Sequence, residues 1–173
     1  MFSGIVQARV PVHIMERKPG LLSLCITLPD ELAHSLKIGA SIAVDGCCLT
    51  VARIEGQTCY FDAMQETLTR TTVGEYSDQQ FVNIERSIGL GEEIGGHIVS
   101  GHVSCTATIV KVENPENNHC VTFRMPAEWM KYIFKKGFIA LDGASLTIVD
   151  VDREERTFNV WFIPETLKKT TFG

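Results

Sequence analysis

The sequence contains the same segment twice, and this repeat limits what the chain can fold into. Three blocks recur in the same order, 97 or 99 positions after their first occurrence: Ser3-Gly-Ile-Val6 with Ser100-Gly-His-Val103, Asp45-Gly-Cys-Cys-Leu-Thr-Val51 with Asp142-Gly-Ala-Ser-Leu-Thr-Ile148, and Glu66-Thr-Leu-Thr-Arg-Thr-Thr-Val-Gly74 with Glu165-Thr-Leu-Lys-Lys-Thr-Thr-Phe-Gly173. Ordered self-similarity indicates two copies of one structural unit. We expect two domains, residues 1–88 and 97–173, joined by a linker at 89–96.

The two copies differ mainly at chemically reactive positions. The matched pairs are Ile5 with His102, Cys48 with Ser145, and Arg70 with Lys169. Two similar pockets that hold different groups predict a protein that handles two molecules of a similar ligand in different ways.

Composition argues against several classes of protein. There are 16 Lys and Arg against 21 Asp and Glu, and no basic run, so nucleic-acid binding is not expected. The start of the chain does not resemble a signal peptide, and no apolar stretch approaches the roughly 20 residues of a membrane helix. The six cysteines include no C-x-x-C spacing, and free thiols without an export signal predict a cytoplasmic protein.

Short runs of β-branched residues between turn residues predict an all-β protein. In the first copy these runs are residues 4–10, 22–28, 41–44, 48–54, 58–63 and 81–85. Each copy adds one short helix: one begins with Pro29 at its first helical position and stops at Gly39, and one covers residues 126–136 and stops at Gly137. Many short strands with one helix favour two small closed barrels.

The second copy is shorter than the first. The counterpart of the strand at 81–85 would fall after Gly173. We therefore expect a second barrel without its last strand, either because a tail has been removed or because something else closes the barrel.

Each Asp-Gly pair predicts a tight hairpin turn that leads into a strand. Residues two apart in a strand share a face, so Cys48 points with Thr50, and Ser145 points with Thr147. A small residue that fits a crowded corner is the purely structural alternative. The same polar pair in both copies favours a face that contacts a ligand.

His97, His102 and Cys105 suggest a metal site by residue type, but their spacing argues against one. The intervals of five and three residues place neither pair on one face of a continuous strand. His102 alone replaces Ile5 of the first copy, and an imidazole with an ordinary pKa of about 6.5 suits proton transfer at neutral pH. A buried histidine without a catalytic role is the alternative.

A Glu-Thr pair opens the third repeated block. Thr67 and Thr166 are predicted to cap short helical turns, whose free backbone N–H groups suit the carbonyl-rich edge of a flat heterocycle. Glu66 and Glu165 are candidates for binding polyol hydroxyls.

Taken together, these blocks closely resemble those of the riboflavin synthase family over the whole chain. The matching segments are Met1-Phe-Ser-Gly-Ile-Val6, Gly46-Cys-Cys-Leu-Thr50, Glu66-Thr67, Gly95-Gly-His-Ile-Val-Ser-Gly-His102, Lys136-Gly137, Asp142-Gly-Ala-Ser-Leu-Thr147 and Ile163-Pro-Glu-Thr-Leu-Lys168. The resemblance implies two six-stranded Greek-key barrels and a C-terminal helix that holds a homotrimer together. The segment for that helix is not in this sequence, so we expect a homotrimer for the full-length form and a monomer or an altered oligomer if the tail is absent. It also implies dismutation of two molecules of 6,7-dimethyl-8-ribityllumazine to riboflavin and a ribitylamino-aminouracil, without an external cofactor.

The resemblance further implies two lumazine-binding sets, with each active site between the N-terminal barrel of one subunit and the C-terminal barrel of another. The first set is Gly4, Ile5, Val6, Cys48, Leu49, Thr50, Asp62, Ala63, Met64, Gln65, Glu66 and Thr67. The second set is Gly101, His102, Val103, Lys136, Ser145, Leu146, Thr147, Ile163, Pro164, Glu165, Thr166, Leu167 and Lys168. The candidate catalytic residues are His102, Cys48, Ser145 and Thr147.

A non-catalytic protein is the alternative. The lumazine proteins of luminous bacteria resemble the same family and bind lumazine or flavin as optical antennae, and their second copy has lost much of the ligand-binding motif. Here both copies keep the Asp-Gly hairpin block and the Glu-Thr pair, and His102 is present, which favours an enzyme. A purely structural double barrel gives no reason for paired polar groups beside each hairpin.

Overall fold

A computed structural model describes residues 1–116 and 118–173, which form mainly antiparallel β-structure. The strands are β1 (Ala8–Lys18), β2 (Leu21–Thr27), β3 (Ser41–Val44), β4 (Cys47–Thr50), β5 (Arg53–Glu55), β6 (Thr58–Met64), β7 (Phe81–Arg86), β8 (Thr108–Glu113), β9 (His119–Arg124), β10 (Phe138–Leu141), β11 (Ala144–Asp152) and β12 (Thr157–Phe162). The α-helices are α1 (Asp30–Ala33), α2 (Gln65–Arg70) and α3 (Pro164–Lys169), and 3-10 helices cover Thr72–Glu75 and Ala127–Tyr132. The predicted all-β class with two repeats is confirmed.

The first repeat forms a seven-stranded sheet in the order β4-β3-β7-β1-β2-β6-β5. Its two edge strands, β4 and β5, are parts of one chain segment, because β4 pairs with β3 and β5 pairs with β6. The change of partner occurs at Val51, whose N–H donates to Ala40, and at Ala52, whose N–H donates to Tyr60, both at 2.9 Å. The sheet therefore closes on itself, with β4 and β5 acting as one of six barrel strands.

The second repeat forms a five-stranded sheet in the order β10-β11-β12-β9-β8. Its β11 is the uninterrupted counterpart of β4 and β5, and it also changes partner, from β10 to β12, near Ile148. In the first repeat, β7 lies between β3 and β1, and the counterpart of β7 would follow Gly173 in the sequence. β8 and β10 are the edges of the second sheet, and every residue of β8 is exposed.

The two apolar cores are joined by an exchange of side chains. Val6, from the start of the first repeat, is buried in the second core with Phe158 and Val160. Val103, from the start of the second repeat, packs against the first core. The leading segment of each repeat therefore lies on the other repeat.

Both predicted helices are shorter than expected. Pro29 is the N-cap of α1 rather than its first helical residue, and α1 ends at Ala33. The region 126–136 contains only the 3-10 helix Ala127–Tyr132. Near the end of each helix a guanidinium binds a main-chain carbonyl: Arg86 donates to Leu32 at 2.6 Å and Arg153 donates to Met130 at 2.8 Å.

The first strand also differs from the prediction, because residues 4–7 precede β1, which begins at Ala8 and continues to Lys18. Gly4 has a φ of +75°, which an extended strand does not accommodate. Among the described residues, no helix has the length and apolar character needed to cross a membrane.

Candidate functional site

The Asp-Gly turns of the two repeats meet at one junction. Asp45 and Asp142 have φ values of 44° and 42°, and the glycines after them have 74° and 80°, the signs expected of type I′ turns. A Cβ on Gly46 would lie 2.6 Å from the backbone nitrogen of Gly143, so a side chain there would clash with the other turn. The strands β4 and β11, which carry the candidate polar pairs, therefore start from the same place.

Reciprocal backbone hydrogen bonds join each of these strands to the leading segment of the other repeat. The Ser145 N–H donates to the Gly4 carbonyl at 2.7 Å, and the Cys48 N–H donates to the Gly101 carbonyl at 2.8 Å. Gly4 and Gly101 are matched positions of the repeat, and so are Cys48 and Ser145. The same contact is made twice.

This pairing differs from the grouping expected from the sequence. The segment of residues 4–6 contacts Ser145 instead of Cys48, through the backbone hydrogen bond at Gly4. It does so because Val6 is buried in the second core. We call the surface around Cys48, Thr50 and residues 101–103 the Cys48 site. The surface around Ser145, Thr147 and residues 4–6 is the Ser145 site.

Burial along β4 and β11 alternates as a period of two predicts. Cys48 is partly buried and Thr50 is exposed, whereas Leu49 between them is buried. In β11 the counterpart of Leu49 is Leu146, which is also buried. It lies between Ser145, which is partly buried, and Thr147, which is exposed. The leucines hold each strand in its core, and the polar pairs share the opposite face.

The matched residues His102 and Ile5 give the two sites different chemistry. The His102 N–H donates to Ser100 Oγ at 3.1 Å, and the Ile5 N–H donates to Ser3 Oγ at 3.3 Å, so the two loops have the same local turn. Both side chains are exposed. Equivalent backbone therefore presents an imidazole in the Cys48 site and an isoleucine in the Ser145 site.

His97 lies in the Ser145 site, where sequence reasoning did not place it. Its Nδ1 is 2.6 Å from Ser145 Oγ, and its ring lies 4.5 Å from the ring of Phe138. Burial lowers the pKa of His97, which favours its neutral form. The sequence signal for a close contact at His97 was the glycine pair before it, Gly95-Gly96. A Cβ on Gly96 would lie 2.7 Å from the Cβ of Ser145.

The histidines and cysteines do not assemble into a metal centre in the part of the chain that the structure describes, where no group of three or more His, Cys, Asp or Glu side chains could hold an ion. All six cysteines are free. Burial, with the neighbouring Cys48 and Asp45, raises the pKa of Cys47 to about 11, which keeps this thiol protonated at neutral pH.

Thr67 and Thr166 do not cap their helices, contrary to the prediction. The N-caps of α2 and α3 are Met64 and Ile163, and neither makes a side-chain cap hydrogen bond. The two threonines lie inside the helices, where each carbonyl accepts the hydroxyl of the threonine four residues later at 2.7 Å. The helix starts are therefore one turn earlier than expected.

Glu66 and Glu165 lie in the first turns of these helices, and both are exposed. Glu66 binds Arg70 at 3.0 Å and Glu165 binds Lys169 at 3.0 Å, each across four residues. The hydrogen bond and charge of Lys169 lower the pKa of Glu165. A carboxylate is therefore held at the start of each helix, on the surface.

Most of the remaining predicted site residues lie in α2, in α3 or directly before these helices, and Lys136 precedes β10. Those with exposed side chains are Asp62, Met64, Gln65, Lys136, Ile163, Pro164 and Lys168. Ala63 is buried in the first core and Leu167 packs against the second, so these two support the fold. Lys136 has a φ of 65° and donates its N–H to Ile148, which places it in the turn that leads to β10.

A cavity of about 580 Å³ lies between residues 97–107 and the second barrel. It is lined by His97, His102, Trp129 and Phe138, among others. Its wall includes Ile109 of β8 and Phe138 of β10, the two edge strands of the second sheet. Its lining includes His102 of the Cys48 site and His97 of the Ser145 site, but not the polar pairs of β4 and β11.

The turn junction holds two carboxyl groups. Asp45 accepts hydrogen bonds from the Tyr76 hydroxyl and the Asn83 N–H, both at 2.7 Å. Burial, and then the charge of Asp142, raises the pKa of Asp45 to about 7. Burial also raises the pKa of Asp142, so the charge at the junction changes near neutral pH.

Comparison with known proteins agrees with this double arrangement. The family model described as "Lumazine binding domain" matches twice, over residues 3–87 and 100–173. The fold is also that of solved structures: LumP complexed with riboflavin superposes with a TM-score of 0.87 at 27% identity, covering 99% of this chain and 91% of LumP. LumP complexed with 6,7-dimethyl-8-(1'-D-ribityl) lumazine gives a TM-score of 0.87 at 25% identity, covering 100% of this chain and 92% of LumP.

Curated relatives are more similar in sequence. Riboflavin synthase of Escherichia coli (strain K12) is 43% identical over 174 residues, which cover 100% of this chain and 81% of the relative. Riboflavin synthase of Chlamydia pneumoniae is 44% identical over 173 residues, which cover 100% and 84%. The chain belongs to the riboflavin synthase family, and it is a member of that enzyme family with two lumazine-binding domains.

Proposed function

We propose that the chain dismutates two molecules of 6,7-dimethyl-8-ribityllumazine. One molecule gives up a four-carbon unit and leaves as 5-amino-6-ribitylaminouracil, and the other gains the unit and becomes riboflavin. The atoms of two lumazines equal those of the two products, so the reaction consumes no oxidant and no cofactor. The names of the relatives support this reaction.

One observation carries the proposal: the chain makes the same contact twice but equips the two sites differently. The Cys48 site presents a thiol and the His102 imidazole, whereas the Ser145 site presents a hydroxyl and Ile5. A dismutation needs this difference, because two identical molecules must take opposite roles.

The main task of the protein is to orient the two ring systems. The C7 methyl group of the lumazine is acidic and C7 itself is electrophilic, so the substrate supplies both the nucleophile and the electrophile. Holding two reactants in the correct geometry is worth about 7–11 kcal/mol of barrier. The N–H groups at the starts of α2 and α3 are suited to the ring carbonyls, and Glu66 and Glu165 are suited to the ribityl hydroxyls.

Proton transfer is the second task, and we assign it to His102. Its exposed imidazole can take a proton from the C7 methyl group and return one later, as a general base and acid. Cys48 either adds to C7 or donates a hydrogen bond to the ring, and Ser145 and Thr147 offer hydroxyls at the other site.

We also propose that the full-length form is a homotrimer in which the Cys48 site of one subunit faces the Ser145 site of another. The second repeat exposes large apolar side chains that suit a subunit contact, including Tyr132, Phe134 and Phe138. Analytical ultracentrifugation tests this assembly, and a monomer that turns over substrate would contradict it.

The experiment for the reaction mixes the purified chain with 6,7-dimethyl-8-ribityllumazine and follows absorbance and fluorescence. Appearance of riboflavin with an equal amount of the aminouracil is the expected result. Binding without turnover would leave two explanations, the second candidate or a synthase without its assembly helix, and restoring the C-terminal segment would separate them.

That second candidate is a non-catalytic antenna that binds lumazine or flavin. The superposition on LumP, whose solved complexes hold riboflavin or a lumazine, favours it. A stable fluorescent complex whose lumazine is unchanged after prolonged incubation distinguishes it from the enzyme.

A further inference from the structure

Glu85 is a buried carboxylate that the proposed reaction does not use. It lies in β7, where Val82, Asn83 and Ile84 are also buried, and its side chain is 3% exposed. Removing a carboxylate from water is costly unless hydrogen bonds replace the lost solvation. The bonds that Glu85 makes therefore indicate why an acid occupies this position.

Within the described part of the chain, the hydrogen bonds to this carboxylate come from two neighbouring residues near its N-terminus, Ser3 and Gly4. Oε1 accepts the Ser3 N–H at 2.6 Å and the Ser3 hydroxyl at 2.7 Å, and Oε2 accepts the Gly4 N–H at 3.0 Å. Hydrogen bonds to an ionised acceptor are short and strong. Glu85 thus fixes both the position and the orientation of this loop.

The same loop forms one wall of the Ser145 site. The Gly4 carbonyl accepts the Ser145 N–H at 2.7 Å, and the Ser3 carbonyl accepts the His97 N–H at 2.9 Å. A Cβ on Gly4 would lie 2.7 Å from the Cβ of Ser145, so the loop and β11 are in close contact. A shift of the loop therefore moves both the Ser145 backbone and the histidine that binds its hydroxyl.

We propose that Glu85 is a positioning residue for the Ser145 site: a carboxylate of the first repeat orients, through Ser3 and Gly4, the ligand-binding face of the second repeat. This inference rests on the proposed function and extends it, because it makes one of the two ligand sites depend on a residue in the other barrel. Glu85 does not contact the ligand itself.

The Cys48 site provides an internal comparison. Its loop, residues 100–103, is the repeat of residues 3–6, whereas the hydrogen bonds of Glu85 in the described structure go to Ser3 and Gly4. Weakening the Glu85 contacts should therefore affect one site and spare the other. A role in general stability would weaken both sites or neither.

The first test compares wild type with Glu85→Gln. The amide retains one oxygen but turns an NH2 group toward a main-chain N–H, so at least one of the three bonds is lost. Glu16→Gln is the matched control, because Glu16 is an exposed acid of the first repeat that pairs with Lys18 at 2.7 Å.

Two readouts are measured on each variant. Hydrogen exchange of the Ser3 and Gly4 amides should become about tenfold or more faster in Glu85→Gln, while amides of β2 and β6 keep their protection. Calorimetric titration with riboflavin should show one site per chain weakened by about tenfold or more and the other within about threefold of wild type.

Turnover of 6,7-dimethyl-8-ribityllumazine should fall about tenfold or more in kcat, because a loosened wall misplaces one ring. The control variant should match wild type in every readout. If Glu85→Gln does not fold, Ser3→Ala serves instead, since it removes one of the three bonds and leaves the carboxylate in place; a smaller change in the same direction is then expected.

Unchanged exchange at Ser3 and Gly4, or equal weakening of both sites, would overturn the positioning role. If wild type neither binds nor converts the lumazine, the proposed function fails, and the exchange of the two amides still decides whether Glu85 holds the loop.

Discussion

The two repeats are best compared at β7, a strand of the first repeat whose counterpart in the second would follow Gly173 in the sequence. There β7 joins β3 to β1, and it supplies Asn83 to the Asp45 turn and Glu85 to the loop at Ser3. In the second repeat β10 and β8 are sheet edges. In the first repeat β7 therefore has two structural roles. It joins β3 to β1 in the sheet, and its residues bind the Asp45 turn and the loop at Ser3.

The largest expected effect is a loss of stability at the two contacts between the repeats, Gly4 with Ser145 and Gly101 with Cys48. Gly4→Ala and Gly101→Ala each place a Cβ within 2.7 Å of the facing strand at a φ of +75° or +81°. We expect each to lower the free energy of unfolding by about 2–4 kcal/mol, from backbone strain and overpacking. Urea denaturation measures this.

Gly39→Ala is the control for that pair, because its φ of +86° is similar but no atom lies within 4 Å of the added Cβ. It should cost only about 1 kcal/mol. A loss at Gly4 or Gly101 no greater than the loss at Gly39 would mean that the close contacts are not tight in solution.

The next test sharpens the chemical difference between the sites. His102→Gln should lower kcat about 100-fold, as expected for loss of a general acid–base group, and should leave lumazine affinity within about threefold. Steady-state kinetics and equilibrium fluorescence separate the two effects. His13→Gln, at a partly buried histidine of β1 that belongs to neither site, is the control. Unchanged turnover would remove His102 from the proton path.

Exchanging the matched groups tests whether the sites have distinct roles. The double variant Cys48→Ser with Ser145→Cys keeps the composition and reverses the two sites, and we expect turnover to fall about tenfold. The added sulfur at position 145 also changes the partner of the His97 ring. A fully active double variant would contradict the assignment of different roles to the Cys48 and Ser145 sites.

The last test concerns the pH dependence of stability at the turn junction. The pKa of Asp45 is about 7 in the folded chain, against about 3.9 when unfolded. The folded state therefore holds a proton that the unfolded state releases, so this contribution to stability is complete below pH 4 and is lost as pH rises through 7. The slope is at most about 1.4 kcal/mol per pH unit.

Asp45→Asn should remove this part of the pH profile, because an amide can still bind Tyr76 and Asn83. Asp142→Asn should move the transition to lower pH, since the Asp142 charge contributes to the raised pKa of Asp45. Urea unfolding from pH 4 to 8 gives the comparison, and parallel profiles for wild type and Asp45→Asn would exclude this carboxyl as the cause.

Much of the fold was predictable because local signals agree with it. The strand at Ser41–Val44 was predicted to the residue, and the Asp-Gly turns have the left-handed φ values expected of them. The length of the helix near 126–136 was overestimated, because the sequence shows Pro126 and Gly137 at its ends. The bond from Arg153 to the Met130 carbonyl joins residues 23 positions apart and has no local signal.

For the site, the sequence predicted which residues share a face within one strand, but not which strands and loops lie next to each other. A period of two correctly paired Cys48 with Thr50, since that relation is local. Placing Gly4 beside Ser145 depends on Val6 entering the second core, which is a long-range packing choice with no local signal. His97 was missed for the same reason, because its partner Ser145 lies 48 positions away.

The doubled contact between Gly4 and Ser145 and between Gly101 and Cys48 is the kind that a two-fold symmetric pair of identical subunits would make. In such a pair every substitution appears twice, so both sites must stay alike. A single continuous chain is free of that restriction, because a change of codon 48 leaves codon 145 untouched. Because the two repeats are one chain, the Cys48 site can carry a thiol and an imidazole while the Ser145 site carries a hydroxyl and an isoleucine. Two identical subunits could not differ in this way.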